Sequence, residues 1–260
     1  MMRIFRLTYV IVLILSAALL QSCEGGFGFV YDNPPDDETN TVAGKLFVDA
    51  SDWGKWYYMD LQALARSVEA NPDTNGNDLW VATDIPMSEI PNPEGKAGIY
   101  TYWYDVFGQG ISRYEFVSYF PTLPQSEPQK WTFAVHRNNV RTNGCTVAAT
   151  EFHDIDELPA NRDYLASLQF RGDNWNETDV WCVQDKMLAG YIGNQGIYVN
   201  PVLSSWLAVS IPPIPPAFDI NTQVFVIHLP DDTYGALQLE NYQSATGVKC
   251  CLTINYRYPL

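Results

Sequence analysis

Short runs in which apolar or aromatic side chains alternate with polar ones recur along the chain, and they constrain its fold more than any other feature. Ten such runs lie between residues 44 and 259, from GKLFVDAS (44–51) to KCCLTINYRYP (249–259). Alternation with a period of two is typical of strands that bury one face. Turn sequences around 108–110 and at 230–232 separate neighbouring runs and predict two hairpins. We therefore expect a mainly β protein whose last three strands form a meander.

Helix signal is sparse. The stretch DLQALARSVEA (60–70) has an apolar stripe with Asp60 as a cap, and it predicts one short helix. A second short helix is predicted near 177–189. Residues 71–98 are rich in Pro, Asn and Gly and predict a long loop, within an insertion at about 66–98, whereas SIPPIPPAF (210–218) predicts a rigid connection between strands. The predicted fold class is all-β, a two-sheet domain over 44–260 with one or two short helices.

The N-terminus has the pattern of a lipoprotein signal peptide. Arg3 and Arg6 precede an apolar run at 7–20, and Cys23 follows a small residue. That run is too short to span a membrane, so we expect cleavage after residue 22 and lipidation of Cys23. Residues 23–43 are rich in Gly, Pro and acid and predict a flexible tether. The chain is therefore expected to be held at a membrane by the lipid anchor alone.

The charge of the chain excludes one class of partner. Residues 1–22 hold two arginines and no acid, so the mature chain has 13 basic and 30 acidic residues and a net charge of −17. Such a chain is repelled by nucleic acid. No nucleophile elbow, Walker loop, zinc-protease motif or dinucleotide fingerprint occurs. We expect neither nucleic-acid binding nor enzymatic activity.

Four cysteines follow Cys23, and their pairing stays open. An exported compartment permits disulfides, and a bond between Cys145 and Cys182 is one possibility. Cys250 and Cys251 are adjacent in a predicted strand, so their side chains point to opposite faces and are not expected to pair.

Two stretches of the sequence have features of a ligand site. DTNGND (73–78) has alternating oxygen donors, but its glycine is misplaced for a calcium loop and the bidentate glutamate is absent, so a turn is favoured. The aromatic residues of the predicted hairpin at 98–120 favour a core. A surface that binds glycans is the alternative for that hairpin.

The stretch WTFAVHRNNVRTNG (131–144) places a His-Arg pair at the end of a predicted strand. Together with VDASDWGKWYYMDL (48–61), VFVIHLPDDTYGALQLENYQ (224–243) and KCCLTINYRYP (249–259), it resembles the HmuY family, which are haem-binding surface lipoproteins of Gram-negative anaerobes. The pieces stand in the family's order and cover most of 45–260. The resemblance implies an all-β fold and a lipid-anchored location at the outer membrane, facing the cell surface. It also implies haem or a related porphyrin as ligand, and transfer of haem to an outer-membrane receptor.

The resemblance also implies roles for individual residues. His136 of the His-Arg pair is expected to be structural, with Arg137 and Arg141 holding neighbouring carboxylates or carbonyls. His153, in ATEFHDIDELP (149–159), matches the spacing of an axial haem ligand. The second donor of the family precedes a turn that is GNQG (193–196) here, where Met187 is the expected ligand and Tyr191 the next choice. The alternative function is a glycan-binding or adhesive surface lipoprotein that keeps the fold without binding haem.

Overall fold

The structure is a computed structural model, and it describes residues 44–70, 80–86, 100–105, 116–121, 124–176, 179–184, 191–210 and 215–260. These residues belong to one compact unit, which spans Asp36–Leu260. The strands of the described ranges are, in chain order, β1 (Lys45–Asp49), β2 (Lys55–Met59), β3 (Trp80–Asp84), β4 (Tyr100–Asp105), β5 (Phe116–Pro121), β6 (Phe133–His136), β7 (Asn139–Thr142), β8 (Thr146–Ala149), β9 (Asn174–Asn176), β10 (Trp181–Val183), β11 (Tyr191–Gln195), β12 (Ile197–Val199), β13 (Leu207–Ser210), β14 (Ala217–Ile220), β15 (Phe225–His228), β16 (Tyr234–Gln243) and β17 (Lys249–Arg257).

Helices are few and short. They are α1 (Leu61–Ala70), α2 (Arg162–Ser167) and a 3₁₀ helix at Leu203–Trp206. Within the described ranges, none is long and apolar enough to cross a membrane. The Asp60 side chain caps α1, since its Oδ1 accepts the backbone N–H of Gln62 at 2.9 Å and of Ala63 at 3.1 Å.

Two sheets form the centre of the molecule. The first has the order β1-β17-β16-β15-β8 and the second the order β3-β2-β6-β7. All pairings within them are antiparallel. One face of each sheet contributes to a shared apolar core that includes Phe225 and Leu237 from the first sheet and Met59 and Phe133 from the second. Burial of these large side chains supplies the main stabilisation of the fold.

The outer face of each central sheet is covered as well. The second sheet turns Trp56, Tyr58 and Ala134 outward, where they pack with Val180 and Cys182. The first sheet turns Val224, Val226 and Ala236 outward. These residues pack with Leu158 and Leu165, which come from the loop after β8 and from α2. The loop at 150–161 is thus an outer layer on the first sheet.

The remaining strands form smaller units. A third sheet has the order β10-β11-β4-β5, and two ribbons pair β9 with β12 and β13 with β14. All of these pairs are antiparallel. The predicted hairpin at 98–120 is confirmed as the pair β4–β5, although its turn at 108–110 lies outside the described residues. The pair β13–β14 flanks the proline-rich connection, of which 211–214 also lie outside.

Several expectations are confirmed. The fold is all-β with short helices, α1 lies where its periodicity predicts it, and β15, β16 and β17 are neighbours in a meander. Cys250 is buried and Cys251 is partly exposed, in agreement with opposite faces. No disulfide joins any of the four cysteines after Cys23, so the possible bond between Cys145 and Cys182 is not formed.

Other expectations need correction. The strands form three larger sheets and two ribbons rather than two sheets, because alternation reveals strands but not their partners. β3 lies inside the stretch expected to be a loop, where WVATD pairs with β2. Residues 181–183 are strand β10 and not part of a helix near 177–189. The second helix is instead α2, whose six residues are too few for a periodic signal; Asn161 caps it.

Some expectations fall on residues that the structure does not describe. These are the signal peptide at 1–22, Cys23, the tether at 23–43, the turn DTNGND at 73–78, and the part of the helix predicted near 177–189 that lies at 177–178 and 185–190. They stay predictions. Of the aromatic hairpin, the backbone of β4 and β5 is described but the side chains are not.

Candidate functional site

His153 lies in the loop between β8 and α2, and its side chain is exposed. The imidazole Nδ1 is 2.9 Å from the hydroxyl oxygen of Thr222, on the segment that joins β14 to β15. Among the described residues, no other group is in hydrogen-bonding contact with the ring. The structure therefore holds the imidazole through Nδ1 and, within the described ranges, gives Nε2 no hydrogen-bond partner.

A single side chain on β16 connects the two segments of this pair. The Nε2 amide of Gln238 donates to the backbone carbonyl of His153 at 2.7 Å and to that of Thr222 at 2.8 Å. Gln238 is only 8% exposed, so its amide has little access to water. Buried amide groups are costly to leave unpaired, and both donors are satisfied here. Gln238 thus holds the backbone at His153 and Thr222 at a defined separation.

The backbone around His153 is joined to the neighbouring segment on both sides. Thr150 N–H donates to the carbonyl of Val224 at 3.0 Å, and Val224 N–H donates to the carbonyl of Phe152 at 2.8 Å. The Thr150 hydroxyl donates to the same Val224 carbonyl at 2.8 Å. Three bonds of ordinary length therefore precede His153 directly. They place it at the end of a short ladder and not in an unsupported loop.

The far half of the loop is held by Arg257 of β17. Its Nη1 donates to the carbonyl of Ile155 at 2.9 Å, and its Nη2 donates to that of Leu158 at 2.7 Å. Phe152 packs edge-on against Tyr164 of α2, with ring centroids 5.9 Å apart. Hydrogen bonds from a charged donor are stronger than neutral ones. The segment that carries His153 is thus fixed from both ends.

Met187 lies outside the described residues, in the segment 185–190 between β10 and β11. Tyr191 begins β11, where its backbone pairs with Asp105 of β4. β10 follows Val180, which packs on the outer face of the second sheet, whereas the loop with His153 covers the outer face of the first. No described contact brings His153 and the strands that flank Met187 together. Met187 as the second ligand stays a prediction.

His136 has the opposite environment from His153. It ends β6 and is completely buried. Its Nδ1 is 2.9 Å from the carbonyl of Lys55 on β2, and its Nε2 is 2.9 Å from the carbonyl of Trp181 on β10. Burial lowers the pKa of His136 to about 4, and this outweighs the two carbonyl contacts, which raise it. The ring is neutral at pH 7, so one nitrogen donates to its carbonyl while the other only lies against one, and this enclosed position agrees with the expected structural role.

The two arginines beside it also bind protein groups. Arg137 has φ +54 and donates from Nη1 to the carbonyl of Ser51 at 2.9 Å. Its guanidinium carbon lies 4.3 Å from the centroid of the Trp53 ring. Arg141 forms an ion pair with Glu127 at 2.7 Å. Both contacts are of the kind expected from the sequence.

A buried chain of amides was not foreseen from the sequence. Gln195, the Gln of GNQG, accepts a hydrogen bond from Trp56 Nε1 at 2.8 Å and donates to Oε1 of Gln125 at 3.0 Å. Gln125 in turn donates to the carbonyl of Asp84 at 3.0 Å. This chain joins β11, β2 and the end of β3 through polar contacts in an apolar layer. Gln195 of GNQG is therefore a buried hydrogen-bonding link between β11 and β2 in the described structure.

The donor at His153 suits one axial position of a haem iron. Imidazole is a common axial ligand of haem, and ligating histidines usually donate their other N–H to an oxygen acceptor. His153 has that acceptor in Thr222 and a fixed backbone. Of the three histidines, His136 is completely buried and His228 is partly buried, with its ring stacked on Tyr234 at a centroid distance of 4.4 Å, whereas His153 is exposed. His153 therefore fits an iron ligand better than either of them.

The amino-acid sequence matches the sequence model of one protein family. The model of the HmuY protein matches residues 52–256, which is most of the sequence and nearly all of the described structure. The chain belongs to the HmuY family. No curated protein matches it.

Solved structures of HmuY-like proteins share this fold. One is a protein of Bacteroides vulgatus described as HmuY-like and haem-binding; it is 24% identical over 87% of this chain and 96% of its own, with a TM-score of 0.57. A lipoprotein of Bacteroides fragilis is 23% identical over 87% of this chain and 94% of its own, with a TM-score of 0.56. Apo PinO from Porphyromonas gingivitis is 16% identical over 83% and 96%, with a TM-score of 0.62. At these identities the likeness concerns the fold.

Proposed function

We propose that this HmuY-family chain is a surface lipoprotein that binds one haem, with the Nε2 of His153 as an axial ligand of the iron. The observation that carries the proposal is the exposed His153 imidazole, which is held through Nδ1 by Thr222 and has no hydrogen-bond partner at Nε2 among the described residues. Family membership supports it, since HmuY proteins are binding proteins and not enzymes, and a structural relative is described as haem-binding. Met187 is proposed as the second ligand.

The iron would supply the affinity for the axial donors, and the protein would supply their orientation. A thioether is a softer donor than imidazole, so a His/Met pair favours reduced iron more than a His/His pair does. Transfer of haem to an outer-membrane uptake receptor belongs to the same proposal. Lipidation at Cys23 would hold the domain at the membrane, and a structural relative is described as a lipoprotein.

Haem titration followed by visible spectroscopy tests the proposal. We expect a Soret shift that saturates at one equivalent of haem. His153→Ala should weaken binding, whereas His228→Ala is the matched histidine control and should bind as the wild type does. Met187→Ala should change the spectrum of the reduced form most. A wild-type protein that gives no shift in either redox state would rule out haem binding and leave the fold unchanged.

The alternative is a glycan-binding or adhesive lipoprotein with the same fold. The aromatic hairpin that suggested it has no described side chains. Haem titration and binding to an immobilised glycan together separate the two functions. A protein that binds only glycans would be retained by the glycan and would leave the Soret band of free haem unchanged.

A further inference from the structure

We propose that Thr222 and Gln238 are positioning residues for the haem ligand. In this assignment they hold the imidazole of His153 with its proton on Nδ1 and its lone pair on Nε2, and they keep it in place before haem arrives. The inference rests on the proposed function. It adds two residues that do not touch the iron but determine how the ligand is presented.

We assign the tautomer from the contact at Nδ1 together with the use of Nε2 by the iron, since the Thr222 hydroxyl by itself could either donate to Nδ1 or accept from it. A neutral imidazole has one N–H, and the nitrogen that carries it is set by the hydrogen bond that the other group offers. The Thr222 hydroxyl lies 2.9 Å from Nδ1 and can accept that N–H. When Nε2 binds iron, its lone pair is used and the proton must remain on Nδ1, where Thr222 accepts it. Such partners also raise the basicity of the ligating nitrogen.

The two hydrogen bonds of Gln238 fix the position of the His153 backbone relative to Thr222. One amide nitrogen donates to the carbonyls of residues 153 and 222, at 2.7 and 2.8 Å. The donor side chain comes from β16, a central strand of the first sheet, and is almost completely buried. The separation between His153 and Thr222 is therefore set by a rigid element. Sites supported in this way lose less entropy when the ligand binds.

Among the described residues, no second oxygen acceptor bonds to the ring. The Asp154 Oδ1 atom accepts the backbone N–H of Asp156 at 2.9 Å, and neither Glu151 nor Asp156 forms a described hydrogen bond with the imidazole. Thr222 is thus the one described side chain bonded to the His153 ring. Removing its hydroxyl should free the ring without changing the fold.

The first test uses the protein without haem. Long-range proton–nitrogen NMR of the histidine rings at pH 8 should show His153 protonated on Nδ1 in the wild type. Thr222→Val should shift the proton toward Nε2, and Thr222→Ser should restore the wild-type pattern. Thr246→Val, which changes another exposed threonine, in the turn between β16 and β17, is the control.

The second test is haem affinity. Loss of an outer-shell partner typically costs 10- to 100-fold in metal affinity, so Thr222→Val and Gln238→Met should each weaken haem binding by about tenfold or more. Thr222→Ser and Thr246→Val should bind as the wild type does. If both Thr222→Val and Gln238→Met keep wild-type affinity and the wild-type tautomer, the positioning inference is wrong while haem binding stands. If His153→Ala binds haem as tightly as the wild type, the inference also falls. If the wild type binds no haem, the proposed function fails and the inference fails with it.

Discussion

Two histidines with the same side-chain chemistry have different roles because their surroundings differ. His136 is buried between two carbonyls and is a neutral structural group. His153 is exposed and, in the part of the chain that the structure describes, is bonded through one ring nitrogen. The sequence distinguishes them in part, since an apolar alternating run precedes His136 and acidic residues surround His153. The sequence does not show which residues form hydrogen bonds with His153. Thr222 and Gln238 lie 69 and 85 residues from His153, and only the pairing of strands brings them together.

His136 should make the stability of the protein depend on pH. Burial lowers its pKa to about 4 in the folded state, while the unfolded chain keeps the ordinary value of 6.5. As the pH falls, the unfolded state therefore takes up the proton first. The stabilisation is complete above pH 6.5 and is lost as the pH falls from 6.5 toward 4, by about 3 kcal/mol in the free energy of unfolding.

Urea denaturation at pH 7 and pH 4.5 measures this effect. His136→Gln should be less stable at pH 7 and should lose less stability on acidification than the wild type. His228→Gln is the control and should keep the wild-type dependence. Equal loss in wild type and His136→Gln would show that another group is responsible.

At the scale of elements, alternating runs and the pairing of strands joined by a turn were predictable, whereas the pairing of strands distant in sequence was not. The meander at β15–β17 and the helix α1 follow from alternation, turn residues and a capping aspartate. β3 was missed because its five residues lie among Asn-, Gly- and Pro-rich segments, so the local composition indicated a loop. α2 was missed because six residues hold less than two turns. Both elements are stabilised by contacts that are distant in sequence. β3 pairs with β2, and α2 packs on the outer face of the first sheet, so neither could be predicted from its local sequence.

The cap of α1 gives a prediction at this scale. Leu61 and Leu64 are in the central core, so the start of α1 is fixed by packing as well as by Asp60. Asp60→Ala should lower the free energy of unfolding by about 1 kcal/mol, because two backbone N–H groups lose their acceptor. Asp60→Asn keeps an oxygen acceptor and should lose much less. Chemical denaturation of the two variants side by side measures the difference, and equal losses would show that the contact is not what stabilises the helix start.

At the scale of the whole molecule, an acidic β domain follows a segment with the features of a lipid anchor. The net charge of −17 after residue 22 opposes binding to anionic surfaces, so the lipid at Cys23 would have to supply the membrane attachment. The lipid anchor is inferred from the sequence alone, because residues 1–43 lie outside the described structure.

Metabolic labelling with a fatty acid tests the anchor. The wild-type protein should carry the label in the membrane fraction. Cys23→Ala should be unlabelled, whereas Cys251→Ala, which removes a partly exposed cysteine of the folded domain, should be labelled as the wild type is. Labelling of Cys23→Ala at the wild-type level would show that Cys23 does not carry the lipid.

The central claim is that the imidazole of His153 binds the haem iron, and chemical rescue tests it most directly. In His153→Gly the side chain is gone, but the carbonyl that Gln238 binds remains, so the loop should keep its position. Titration with haem should then give a weaker and altered Soret band, and added imidazole should restore the wild-type spectrum at one equivalent. A wild-type Soret band in His153→Gly without imidazole would contradict the claim.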